Sequence, residues 1–327
     1  MMFRQAFAPP RWLRHAHVQS MLPSLGFRAR AVRSRARGVL EAAEEVLLDA
    51  GGGVRLQGFH SRQPSSARDL VVLHHGWEGS AESSYILSLA ARLWAEGFDV
   101  FRLNMRDHGE THHLNEGLFH SCRLDEMVGA VRAIAAHAPD RRLSLVGYSL
   151  GGNFALRIAT RAPAAGIALR KAVAICPVLD PATTLEALER GLWIYRHYFV
   201  RKWVRSLTRK AAAFPGRYDF SELVGDGRLT PMTERLVFRH TGFGSLAEYL
   251  RGYALVHGAL DGLAVPCRLI TALDDPIIPA GDLERLPQNP WLRITPTPHG
   301  GHCGFLESLA GHAWVDSEIL HELTMPD

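Results

Sequence analysis

Leu143-Ser144-Leu145-Val146-Gly147-Tyr148-Ser149-Leu150-Gly151-Gly152-Asn153 decides the fold. A short apolar run leads into G-x-S-x-G. Phe154-Ala155-Leu156-Arg157-Ile158-Ala159 then carries on with a helical pattern. Strand, sharp turn and helix in that order predict a tight turn with a serine at its tip and the serine Oγ exposed. Gly147 and Gly151 have a steric reason to be there: the turn brings strand end and helix start so close that a Cβ at either place would clash. It also strains the backbone at Ser149. The helix that starts after Ser149 offers free N–H groups and a positive dipole end, where a developing oxyanion would sit.

Strands and helices alternate on both sides of this stretch. Glu45–Asp49 and Val54–Phe59 flank Gly51-Gly52-Gly53 and predict a hairpin. Strands are predicted at Asp69–His74, Asp99–Asn104, Lys171–Cys176, Cys267–Ala272 and Trp291–Thr295. Helices are predicted at Tyr85–Glu96, Asp125–His137 and from about Ala313 to Glu322. The alternation implies a mostly parallel sheet with helices on both faces. From Pro181 to about Gly262 it stops. Leu185, Leu188, Leu192, Tyr195, Phe199, Trp203 and Leu207 recur there at helical spacing, with Arg190, Arg196, Arg201, Lys202, Arg205, Arg209 and Lys210 on the other faces. This reads as one long helix of an insertion at about 181–262, its apolar stripe inward and its basic face outward. Part of the stripe, Phe199 and Trp203 above all, is expected to roof the serine and line an apolar pocket.

Residues 1–38 read as an N-terminal arm with a short helix, and 39–327 as the main domain carrying the insertion. The basic run Arg28, Arg30, Arg33, Arg35 and Arg37 reads as a solvated arm; contact with an anionic partner or a membrane surface is the alternative. The chain has 327 residues, 47% hydrophobic and 21% charged, with a net charge of +4. That composition is ordinary for a soluble globular protein and does not argue for a nucleic-acid binder. Cys122, Cys176, Cys267 and Cys303 lack C-x-x-C spacing and read as reduced thiols of a cytosolic protein. Cys176 and Cys303 read as small buried residues. No apolar run reaches the roughly 18 residues of a spanning helix, and the N-terminus lacks a signal-peptide core. His112, His113 and His120 do not supply a closed ligand set, so no metal site is expected.

A serine alcohol is a poor nucleophile at neutral pH. It needs a base within hydrogen-bond reach and a third group to fix that base's tautomer. Active sites of parallel sheets lie at the carboxyl ends of strands. Ser149, Asp275 and His302 each fall just past such an end, in the order Ser, Asp, His. Asp274 competes with Asp275, which is preferred because Pro276 and Pro279 stiffen the turn it occupies. His299 competes with His302, which is preferred because Gly300, Gly301 and Gly304 permit a tight loop projecting its ring inward. Backbone N–H groups of Trp77 and Leu150 are expected to form the oxyanion hole.

Five segments resemble the YheT-like branch of the α/β-hydrolase superfamily, which includes abhydrolase-domain esterases. They are His17-Val18-Gln19-Ser20-Met21-Leu22-Pro23, His75-Gly76-Trp77-Glu78-Gly79-Ser80, Leu118-Phe119-His120-Ser121, Gly147–Asn153 and His299-Gly300-Gly301-His302-Cys303-Gly304-Phe305. They resemble that group's H-x-Q-T-x-x-P, H-G-x-x-G-S, Y-H-S, G-[FY]-S-L-G-G-N and H-G-G-H-x-G-F. The resemblance implies an α/β-hydrolase fold with a helical lid, and an esterase or lipase-like enzyme acting on small acyl esters with no cofactor. It supports His302 as the base. The group's R-G-x-[GS] turn reads Arg106-Asp107-His108-Gly109 here, and Thr230–Gly242 matches only loosely. An acyltransferase or thioesterase would use the same three side chains, and a non-catalytic binding protein could use the same fold. A cytoplasmic location, with contact at a lipid surface, is the corresponding expectation.

Overall fold

The alternating pattern becomes one eight-stranded sheet. The computed structural model describes residues 7–64, 69–223, 225, 227–309 and 311–326; Met1 to Ala6 of the expected arm lie outside them. The strands are β1 Ala43–Asp49, β2 Arg55–Ser61, β3 Leu70–His74, β4 Asp99–Leu103, β5 Leu143–Tyr148, β6 Leu169–Ile175, β7 Cys267–Ala272 and β8 Leu292–Thr297, in spatial order β1-β2-β4-β3-β5-β6-β7-β8. The β1–β2 hairpin joins β4 antiparallel through β2, and every pairing from β4 to β8 is parallel. A parallel strand covered on both faces has no polar side, so β3 and β5 are buried throughout and read as mainly apolar runs.

The helices are α1 Ala16–Met21, α2 Gly26–Arg35, α3 Arg37–Glu41, α4 Ser84–Ala95, α5 Leu124–His137, α6 Leu150–Arg161, α7 Pro181–Arg190, α8 Trp193–Ala213, α9 Leu229–His240, α10 Leu246–Arg251 and α11 Trp314–Thr324. Successive strand side chains point to opposite faces. Leu70 and Val72 therefore join one core with α5 and α6, while Val71 and Leu73 join a second with α4 and α11. Among the described residues, no helix is long and apolar enough to cross a membrane.

Register sets the level of the strand ends. His74 pairs with Gly147 and Tyr148 with Ile175, so the loops after β3, β5 and β6 leave the sheet side by side. Ala272 pairs with Thr297, which brings the loops after β7 and β8 to the same edge.

Three expectations need correction. The arm is not a solvated tail. Leu13, Val32 and Ala36 are buried in the second core, and buried Arg28 donates to the carbonyls of Leu309 and Gly311 at 2.7 and 3.0 Å. Only Arg30, Arg33, Arg35 and Arg37 of the basic run face solvent. The apolar stripe after Pro181 is not one helix either: Gly191 adopts an extended backbone that ends α7, and Leu192 of the stripe is exposed between α7 and α8. The outward basic face fails at its last member. Lys210 is 1% exposed, 2.8 Å from Asp107, and donates also to the carbonyls of His112, Asn115 and Gly117. Its aliphatic stem follows the apolar stripe inward, and its charge meets a carboxylate there instead of water.

This buried pair fixes α8 to the loop after β4, at the point where the Arg106–Gly109 turn departs from the resembled pattern. Asp107 holds a left-handed backbone, φ 58°, that glycine would adopt without strain. It also accepts from the Phe119 amide at 2.8 Å. Asp107→Ala is expected to destabilise the protein by about 3–5 kcal/mol, because it leaves the Lys210 charge buried without its carboxylate. Urea unfolding measures this; a loss under about 1 kcal/mol would mean that the three carbonyls alone satisfy the ammonium.

Candidate active site

The turn after β5 closes by backbone contact. A Cβ on Gly147 would overlap the Gly151 carbonyl, and one on Gly151 would overlap the carbonyls of His74 and His75. Ser149, between them, is forced to φ 53°, ψ −120°. Backbone held in so sparsely populated a region persists only where its surroundings over-determine it. The Ser149 amide donates to the Ile175 carbonyl at 2.8 Å, and the α6 ladder starts at its own carbonyl. Asn153 of the same motif donates to the carbonyls of Val178 and Tyr253 at 2.9 and 2.8 Å, tying α6 to the segments that enter and leave the lid.

The structure brings Ser149, His302 and Asp275 together. His302 Nε2 lies 3.0 Å from Ser149 Oγ, and His302 Nδ1 lies 2.8 Å from Asp275 Oδ2. The other Asp275 oxygen accepts from the amides of Ile277 and Ile278, at 2.8 and 3.0 Å. The carboxylate therefore has one oxygen fixed by backbone and one left for the imidazole. The competing residues take other work. Asp274 accepts from the Gly301 amide at 2.9 Å and faces His299 Nδ1 at 3.6 Å, so this pair braces the loop from outside.

The loop after β3 passes over Ser149. A Cβ on Gly76 would stand 3.1 Å from Ser149 Cβ, so glycine there lets the Trp77 backbone approach. Tyr85 Oη accepts from the Gly76 amide at 2.9 Å. His75 Nε2 accepts from the Met105 amide at 3.2 Å while Nδ1 donates to the Gly76 carbonyl at 2.8 Å. Burial pushes the His75 ring down to about 3, which keeps it neutral and able to make both bonds. Lys202, on α8, donates to the Glu78 carbonyl at 2.7 Å. Burial pushes the Glu78 carboxyl up to about 7. Leu150, the other expected oxyanion donor, is the first residue of α6, where helical N–H groups lack intrahelical partners.

An apolar cavity of about 110 Å³ opens on Ser149. Trp77, Phe119, Leu150, Val178, Leu188, Phe199, Trp203, Leu236 and Tyr249 are among its walls. Phe199 stacks on Trp77 at 5.2 Å and 10°, and Trp203 meets the same ring edge-on at 5.3 Å. Phe199 and Trp203 thus reach the cavity as expected from the stripe. Phe119, Leu236 and Tyr249 come from separate segments, and of the three only Phe119 lay in one of the quoted motifs.

Gln19 and Ser20 are the supporting residues that residue-by-residue reading missed. Ser20 Oγ accepts from the His302 amide at 2.8 Å. Gln19, fully buried, donates to the carbonyls of Leu13 and Leu306 and accepts from the Leu306 amide at 2.7 Å. Gly301 and Gly304 lie so close to α1 that a Cβ would overlap the carbonyls of Ala16 and Gln19. The arm is therefore the floor under the histidine loop. His17 Nδ1 meets Tyr195 Oη at 2.8 Å, joining that floor to α8. The available signal was the coincidence of the His17–Pro23 and His299–Phe305 motifs, which nothing in either stretch relates to the other.

Comparison with known proteins agrees with the fold. A family model described as alpha/beta hydrolase fold matches residues 69–214, from just before β3 to just past α8. The chain is 23% identical over 272 residues to mouse phospholipase ABHD3, covering 79% of this chain and 65% of that protein. It is 22% identical over 272 residues to the embryogenesis-associated protein EMB8 of Picea glauca, covering 78% and 58%. The matches thus span less than two thirds of these two relatives. Among solved structures, the Pyrococcus furiosus esterase Pf2001 superposes with a TM-score of 0.59 at 15% identity, over 86% of this chain and 89% of that one. The chain has the α/β-hydrolase fold.

Gln19→Ala leaves the Leu306 amide and two carbonyls buried without partners, at a cost of about 1–3 kcal/mol. Because Leu306 closes the histidine loop, the variant is also expected to lose turnover on ester substrates at a temperature where it is fully folded. Stability by urea unfolding and kcat on the folded fraction separate the two effects. Unchanged values of both would mean that α1 does not support the loop.

Proposed function

We propose that the chain, an α/β hydrolase by fold, is a serine hydrolase that cleaves carboxylic acyl esters through an acyl-enzyme on Ser149. The observation that carries this reading is the unbroken hydrogen-bond series Ser149–His302–Asp275, at 3.0 and 2.8 Å, opening on an apolar cavity. His302 Nε2 takes the serine proton as Oγ attacks the ester carbonyl. Asp275 holds the imidazole in the tautomer with Nδ1–H and stabilises the imidazolium that forms. The tetrahedral oxyanion faces the backbone N–H groups of Trp77 and Leu150 at the positive end of α6. The imidazolium then gives its proton to the departing alcohol, and water, activated by the same ring, releases the acid.

The acyl chain enters the cavity between Trp77, Phe199 and Trp203. The similarity to proteins named phospholipase and esterase supports an ester substrate. The paired motifs at His17–Pro23 and His299–Phe305 favour the YheT-like branch of the superfamily. The reaction in this reading draws on no cofactor.

Ser149→Ala and His302→Ala are each expected to lower kcat on p-nitrophenyl esters by several orders of magnitude, and the double variant to cost little more, because such residues act as a unit. Asp275→Asn removes the group that orients the imidazole and is expected to cost about 10⁴-fold. Asp274→Asn and His299→Ala are expected to retain most activity. Full activity of Ser149→Ala would overturn the reading.

Chain-length preference tests the cavity. Each methylene that enters is worth about 0.8 kcal/mol, or roughly fourfold in kcat/KM, until the cavity is full. Phe199→Ala and Trp203→Ala are expected to move that limit. A flat profile from acetyl esters upward, unchanged by both substitutions, would leave the cavity without a part in binding.

A further inference from the structure

Two cysteines stand behind the Ser149–His302 pair. Cys176 follows the last residue of β6, and Cys303 follows His302. Both hold left-handed backbone that non-glycine residues rarely adopt, with φ 42° and 62°. Their thiols cross between the two segments. Cys303 Sγ donates to the Ile175 carbonyl at 3.7 Å, and Cys176 Sγ donates to the Gly301 carbonyl at 3.8 Å. The Ile175 carbonyl also accepts the Ser149 amide, so the thiols lie against the backbone that carries nucleophile and base.

One ligand atom each from Cys176, Cys303 and His302 falls within 4.8 Å of the other two. Donors around one tetrahedral zinc stand about 3.5–4 Å apart, given its bond lengths to sulfur and nitrogen. Small side-chain rotations would bring these three onto a common ion. Two sulfurs with one imidazole suit a soft or borderline cation and disfavour magnesium or calcium. All four cysteines are free, and neither Cys303 nor His302 is fully buried. Cys303 also lines a small cavity beside Tyr85 and Tyr148.

We propose that Cys176, Cys303 and His302 form a binding site for a soft divalent cation of the zinc and cadmium class, and that its occupation switches off the Ser149 centre. Each thiol gives its proton to solvent as its sulfur binds the ion. The imidazole lends a ring-nitrogen lone pair, a water fills the fourth position, and nothing is oxidised or reduced. Both imidazole nitrogens are engaged, with Ser149 and Asp275, so the bound ion must take one of them. The loss of activity rests on the role proposed for His302; the binding site itself does not.

The test is titration of the full-length protein with cadmium alone, following sulfur-to-cadmium charge-transfer absorption and ester hydrolysis in parallel. The absorption is expected to saturate at one ion per chain and hydrolysis to fall with the same midpoint. Cys176→Ser and Cys303→Ser are each expected to abolish the absorption and raise the inhibitory concentration at least tenfold, with fluorophosphonate labelling of Ser149 unchanged. Cys122→Ser and Cys267→Ser are expected to behave as wild type. Should a serine variant fail to fold, cadmium protection of wild-type thiols from alkylation, read by mass spectrometry, replaces it. Protection confined to the peptides of Cys176 and Cys303 supports the site. No charge-transfer band in wild type, a band unchanged in both variants, or no protection overturns it. A saturating band with hydrolysis unaffected overturns the switch. A band in a protein with no esterase activity at all supports the site and refutes the ester-hydrolase reading instead.

Discussion

Everything at this site depends on one close approach, that of the Gly151 backbone to the carbonyls of His74 and His75. It lets α6 begin where β5 ends, with Ser149 left at φ 53° as the only residue between them. The same contact brings the first turn of α6 beside the loop that carries Trp77. The exposed serine, the start of α6 and the Trp77 loop thus meet as one geometric consequence of missing side chains at Gly147 and Gly151. A strained serine persists because the flanking strands are buried on both faces and cannot relax.

His302 is held by a different principle. The histidine loop has little regular structure of its own, and its shape comes from what lies under it. Asp274 fixes the Gly301 amide, Ser20 fixes the His302 amide and Gln19 fixes Leu306. Two of these three anchors come from the N-terminal arm, close to three hundred residues away in sequence. An arm that read as solvated is a structural member of the site, because the glycines of the loop admit α1 to backbone contact.

The inserted helix α8 is tied to the body by polar contacts and meets the site through aromatic ones. Lys202 reaches the Glu78 carbonyl, Ser206 meets His112, and Lys210 is buried on Asp107, all from α8. Phe199 and Trp203, between and beside them, press on Trp77. The helix that shapes the cavity is therefore the one that steadies the loop after β3.

The sequence by itself determined the elements and which three side chains meet at the ends of the strands. Continuous apolar runs marked buried parallel strands because such strands have no polar face. The glycine spacing around Ser149 marked a turn that tolerates no Cβ. Asp275 and His302 were legible because each follows a strand end with stiffening prolines or permissive glycines beside it. Tertiary structure alone decided what depends on distant partners. The register of β3 on β5 set which loops meet, and the extended backbone at Gly191 split the lid stripe and exposed Leu192. Lys210 went inward because Asp107 and three carbonyls were waiting there, and Gln19 acquired its role from a loop at the other end of the chain. Periodicity reports which face of an element is apolar; it does not report which other segment will satisfy a buried charge or amide, since that partner is set by the packing of the whole chain.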